Sequence, residues 1–331
     1  MQMRSVFCFV VLTACGPSAP AVVPDASIVP KTAAGSFSIT TAIDLPVLPP
    51  PADALLAELD DATDGPDDPA RFLCDRLVAE LPESWQAIAA GVADDLVAPV
   101  LETELDQIAP RFASGMRSLA AGLGEIAHHA RTIETLTIQP NGIATRTITG
   151  LAYDEASLDF AREGMADAVA TTSAALDAKG DLSIASNHVE LPYGALLRLG
   201  FDRQVIPNVD FSAGDLATAL RDLVDCRQLG ELFAAKLGLG SVTLYVSACD
   251  AGMAELAADF YARLAAIDVS PLAFDASGAA TGVDVDHDGT LDQLDGGVWT
   301  GTSSYAGAAT ALVDATFSGT KQGVPQPSPV P

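Results

Sequence analysis

The feature that most limits the fold is the apolar series Trp85, Ile88, Val92, Leu96, Val100, Leu105, Ile108, Phe112, Met116, Leu119, Leu123, Ile126, Ala130 and Ile133. Steps of three and four place these side chains on one helical face. Proline removes a backbone donor and clashes with the preceding turn, so Pro99 and Pro110 are expected to break or kink the helix. From Phe112 onward the spacing is nearly heptad, yet the run is short for a coiled coil. Its expected use is burial against a sheet of the same chain.

The sheet is sought in the flanking sequence. Asp68 before Pro69 marks a helix start, with Phe72, Leu73, Leu77 and Leu81 as its apolar face. Thr135 to Ile138 and Ile143 to Thr149 flank Pro140-Asn141-Gly142, a hairpin signal because Asn and Gly tolerate positive φ. A helix is expected from about Asp154 to Lys179, ended by Gly180, and an extended stretch from Leu182 to Val189. Ser212 with Asp215 resembles a capping box for a helical pair running to about Leu237, and Ser247 with Asp250 does the same for a helix through Leu256, Phe260 and Leu264. Leu272 to Thr320 alternates apolar residues with Gly, Ser and Thr, as an antiparallel meander does. The expected fold class is therefore α+β, with long amphipathic helices packed on an antiparallel sheet or partial barrel.

At the N-terminus, Arg4, the apolar run Val6 to Leu12 and then small residues before Cys15 have the three-part layout of an export signal. The run is too short to span a bilayer, which takes about 20 residues. Leu12-Thr13-Ala14-Cys15 resembles the lipobox of bacterial lipoproteins. That resemblance implies cleavage before Cys15, acylation of its sulfur and amino group, and a membrane partner reached through the acyl chains. Gly16, where an Asp commonly retains family members at the inner membrane, points to the outer membrane. The mature chain then holds 16 basic and 44 acidic side chains, since Arg4 leaves the 17 basic ones, a formal charge of −28. Such a field repels nucleic acid and anionic headgroups, so attachment rests on the acyl chains.

The expected organisation is a signal peptide at 1–14, a Pro/Ala-rich tether at 15–50, a mainly helical body with β-hairpin insertions at 51–267, a meander with an Asp-rich loop at 268–322 and a disordered tail at 323–331. Export to an oxidising compartment permits a disulfide among Cys74, Cys226 and Cys249. Cys226 ends one expected helical segment and Cys249 begins another after a hairpin-like excursion, which makes them the favoured pair; burial of all three as small core residues is the alternative.

Asp284-Val285-Asp286-His287-Asp288-Gly289-Thr290-Leu291-Asp292, continuing to Asp295, resembles the EF-hand-type calcium loop. Acids stand at positions one, three, five, nine and twelve, Gly289 at six, and Thr290 at seven would offer its carbonyl. So many carboxylates repel one another without a cation. Asp295 replaces the usual Glu, and the flanks read as strands, so the loop is closer to those of extracellular repeat modules. The alternative is a solvated turn at Asp288-Gly289.

Weaker candidates are His128 and His129 with Glu125 one turn back, which also suit charge complementation at a helix C-terminus, and His188, a possible general base without a nameable nucleophile. Gly297-Val298-Trp299 resembles the Gly-x-Trp signature of lipocalins, but the 32 residues after Trp299 are too few for a barrel opening there. No nucleophile elbow, phosphate loop, His-Glu-x-x-His or Cys-x-x-Cys occurs. The expected function is non-enzymatic: a lipid-anchored envelope protein with a structural or binding role, with calcium as its cofactor. The alternatives are a carrier of lipids or other apolar ligands and, further off, a hydrolase using His188.

Overall fold

The structure is a computed structural model that describes residues 29–61, 68–83, 86, 109–153, 156–209, 212–237 and 240–323. Cys15 with the signal residues, residues 87–108 of the long apolar pattern, Trp85, and the tail from residue 324 lie outside the described residues.

Alternation of apolar and small polar residues drives the chain into strands, which turn one face inward and one outward. The strands are β1 (Gly35–Asp44), β2 (His129–Ile138), β3 (Ile143–Tyr153), β4 (Ala156–Asp159), β5 (Ala168–Leu176), β6 (Asp181–Leu191), β7 (Leu272–Val283), β8 (Gln293–Tyr305), β9 (Ala308–Ala311) and β10 (Val313–Lys321). Neighbours run β10-β1-β2-β3-β5-β6-β7-β8, and β10 also pairs with β8, so eight strands close into an antiparallel barrel with β4 and β9 as side ribbons. The expectation of helices packed on an open sheet or partial barrel is thereby corrected.

Two stretches account for the difference. Gly35–Asp44 was expected within the tether, but its Phe37, Ile39, Thr41 and Ile43 alternate inward and it pairs along its length with β2 and β10. Of the helix expected over 154–179, residues 156–159 and 168–176 are strands. There Ala and Ser have no strong strand preference, and pairing of Ile143–Ile148 with Ala168–Ser173 decides the conformation. The hairpin at Pro140-Asn141-Gly142 forms as expected, with Gly142 at φ 81°.

An eight-stranded barrel is just wide enough for side chains to fill. Here Phe37, Ile39, Leu136, Ile148, Trp299 and Phe317 do so. Gly278 lets the Trp299 ring lie against the wall, since a Cβ there would come within 2.7 Å of it. At mid-barrel Arg146, 3 % exposed, donates from Nε and Nη2 to Glu134, which is fully buried, at 2.6 and 2.8 Å. Its Nη1 reaches Asn187 Oδ1 at 3.1 Å, and its guanidinium lies 4.2 Å from the Trp299 ring centre. A buried ion pair of this kind persists because every charge has a partner.

Many outward positions of β1, β2, β3 and β10 are hydroxylic. Thr135 faces Thr147, Thr137 faces Thr145, Ser38 faces Thr320 and Thr40 faces Ser318. A membrane-spanning barrel shows the reverse, an apolar band outside and a polar lumen. Among the described residues no helix is long and apolar enough to cross a membrane.

Helices cover one end of the barrel: α1 (Pro50–Asp61), α2 (Asp68–Ala79), α3 (Phe112–His128), α4 (Tyr193–Gly200), α5 (Ile206–Val209), α6 (Leu216–Leu223), α7 (Cys226–Leu237) and α8 (Val242–Ile267). A π-helical turn, Phe201–Val205, joins α4 to α5. Buried Tyr245, Cys249, Met253, Phe260 and Leu264 place α8 at the centre, packed by α1, α2, α4, α6 and α7. Its start is Ser241, whose side chain accepts from Leu244 N, not the expected Ser247-Asp250, which lies inside the helix. Asp215 caps α6 by accepting from Thr218 N. Tyr193 Oη donates to Ala127 O, joining α4 to α3, and Tyr305 Oη donates to Ile267 O, fastening α8 to the end of β8, both at 2.7 Å.

Candidate metal centre

The opposite end of the barrel is closed by the loop between β7 and β8, which is the Asp-rich motif. Asp284 follows β7, and its carboxylate accepts from Asp288 N at 3.2 Å and Gly289 N at 2.7 Å. Asp292 Oδ2 accepts from Val285 N at 3.0 Å. His287 and Gly289 take positive φ, 65° and 87°, which winds the loop back on itself. Asp284 and Asp292 are thereby 4 % and 3 % exposed, and ligand oxygens of Asp284, Asp286 and Asp292 lie within 4.8 Å of one another. Calcium bonds of 2.3–2.6 Å span roughly 4.6–5.2 Å between opposed oxygens, a spacing comparable to that of these groups. The three carboxylates form a group that can hold a metal ion.

The other expected ligands are placed differently. Asp288 Oδ1 accepts from the Thr290 hydroxyl at 2.5 Å and from Thr290 N at 2.7 Å, and these bonds hold its carboxyl below the ordinary carboxylate range. Asp295 stands in β8 opposite Thr281, exposed, and takes a bond from Gln293 Nε2. The loop therefore gathers positions one, three and nine and leaves position twelve outside the group. Sequence reasoning missed Lys321, whose Nζ lies 3.0 Å from Thr290 Oγ1 and 3.8 Å from Asp292 Oδ1. No sequence signal pointed to it, because the end of β10 reaches the loop only when the barrel closes.

The loop also grips the segment leading into β1. Lys31 N donates to Gly289 O at 2.8 Å, Leu291 N to Thr32 O at 2.9 Å, and Thr32 and Thr290 form a parallel bridge. The N-terminal end of the described chain and the acidic loop share one end of the barrel.

Cys226 and Cys249 are joined, 23 residues apart, as expected, while Cys74 is a buried thiol. Cys226 begins α7 and Cys249 lies inside α8, where the expectation had Cys226 ending one helical segment and Cys249 beginning another. His188 lies on the outer wall, its Nδ1 2.9 Å from Asp275 and its Nε2 3.4 Å from Glu190. The bond to Asp275, then that to Glu190, raises its pKa. With a carboxylate at each nitrogen, His188 ties β6 to Asp275 of the neighbouring strand β7. Comparison with protein-family models, with curated proteins and with solved structures finds no match to this chain.

Proposed function

We propose that this chain is a lipid-anchored envelope protein in which a filled barrel serves as a rigid scaffold. The acyl chains on Cys15 hold it at the outer membrane, and calcium at Asp284, Asp286 and Asp292, with the Thr290 carbonyl, staples the end nearest the anchor. The observation that carries the scaffold reading is the occupied lumen, where Arg146, Glu134, Asn187 and Trp299 interlock. The hydroxylic outer wall supports attachment through an anchor over insertion of the barrel, and the Cys226–Cys249 bond suits an oxidising compartment. The described chain begins at the loop end, opposite the helices.

Calcium supplies the positive charge that several converging carboxylates need; the chain orients them through backbone N–H groups and ties the result to the segment entering β1. A carrier of lipids or other apolar ligands remains the second reading, because closed eight-stranded barrels also hold single small ligands. It requires the lumen to open. The test is membrane fractionation of the natural chain beside Cys15→Ala, with native mass spectrometry of the soluble variant. Wild type in the membrane, Cys15→Ala released and free of bound lipid, is the expected result. Release of neither or both would overturn the anchor, and stoichiometric co-purified lipid would replace the scaffold with the carrier.

A further inference from the structure

Lys321, the last residue of β10, carries its ammonium into the acidic loop. Pairing with Phe37 of β1 and donation from Lys321 N to Asp292 O at 2.7 Å fix its backbone. Its stem runs past Gly35, where a Cβ would come within 3.1 Å of Cε, so the glycine leaves the side chain room. The ammonium then donates to Thr290 Oγ1 at 3.0 Å and lies 3.8 Å from Asp292 Oδ1. The side chain of Lys321 is 21 % exposed and that of Asp292 2 %, so little water screens the pair. Among the described residues no other cationic side chain forms an ion pair with Asp284, Asp286 or Asp292.

Three carboxylates whose ligand oxygens lie within 4.8 Å of one another repel, and one ammonium offsets one of their three charges. While protonated, that ammonium has no lone pair and cannot coordinate a metal. A unit positive charge a few ångströms from a divalent ion weakens its binding by about tenfold or more. The group that quiets repulsion in the metal-free loop therefore opposes an ion that enters it.

We propose that Lys321 is the built-in counter-cation of this loop: it holds the acidic end of the barrel closed without metal and sets calcium affinity low, near the roughly 0.1–1 mM of extracellular calcium modules. This role rests on the calcium reading of Asp284, Asp286 and Asp292 given above and assigns its regulation to β10. Lys321 reaches the loop only because β10 closes the barrel against β1 and β8, so the affinity is tied to that closure.

The full chain, natural and as Lys321→Met and Lys321→Arg, is titrated with calcium chloride by calorimetry at low salt and unfolded thermally in chelator and in calcium. Lys321→Met should bind calcium at least about tenfold tighter than the natural chain, and Lys321→Arg, which keeps the charge, within about threefold of it. In chelator Lys321→Met should melt below the natural chain, and calcium should remove the difference. Calcium bound no tighter by Lys321→Met than by the natural chain, or an equal midpoint in chelator, overturns the role of Lys321 and leaves the calcium reading standing. Calcium bound by neither overturns both. If Lys321→Met does not fold even in calcium, Lys321→Gln, which keeps a donor without the charge, decides in its place.

Discussion

The two ends of the barrel are closed by different physics. At the helical end, Tyr193, Leu197, Phe201, Phe260 and Ile267 are buried, rings of Phe201 and Phe260 lie 4.6 Å apart, and a disulfide clamps α7 to α8. At the loop end, closure consists of backbone bonds among Lys31, Thr32, Gly289 and Leu291, with carboxylates and Lys321 between them. Apolar burial needs no ion and has little pH dependence. Converging carboxylates depend on both. One end is therefore closed by apolar packing and a disulfide, the other by backbone bonds and a cluster of carboxylates, with the mid-barrel ion pair between them.

The largest effect is expected from that pair. Glu134→Ala leaves Arg146 buried without its partner and should destabilise the whole barrel by about 3–5 kcal/mol in urea unfolding, affecting both ends together. The double change Glu134→Leu with Arg146→Met should cost far less. Replacing Cys226 and Cys249 by Ala should cost about 3 kcal/mol, as expected for a loop of 23 residues, with lost amide protection confined to the helices. Equal loss at the loop end would break the division. Tyr193→Phe removes one bond to Ala127 O and should cost about 1 kcal/mol, again at the helical end.

The smallest effects are those of pH. The folded-state value of Asp288 is lowered, so its contribution is present above the unfolded value, about 3.9, and is lost as pH falls through the folded value. His188 is raised, so its contribution is complete below about 6.5 and lost as pH rises through its folded value. Both groups are exposed, and shifts in Tm should be small. Thr290→Val should flatten the acid limb and His188→Gln the neutral one.

How much of this was legible in the sequence follows from the range of the interactions. The hairpin at Asn141-Gly142 and the loop at Asp284–Asp292 are local, carried by turn chemistry, and both were readable. Barrel closure joins Phe37 to Lys321 across nearly the whole chain, and no local pattern announces such a pairing. Ala168–Leu176 was misread because Ala-rich stretches favour helix until a partner strand is supplied. Arg146, alone among Thr and Ile in β3, was a signal left unused: a charge at an inward position asks for a buried partner, which Glu134 provides. Asp295 was counted as a ligand by spacing, whereas the strand begins before it and turns it outward.

The most direct test is hydrogen exchange of the full chain in millimolar calcium and in chelator, beside Asp286→Ala. The account predicts that calcium slows exchange at residues 29–34 and 284–292, leaves α4 and α8 unchanged, and has no effect in Asp286→Ala. Slowing spread evenly over both ends, or no slowing in the natural chain, would contradict it.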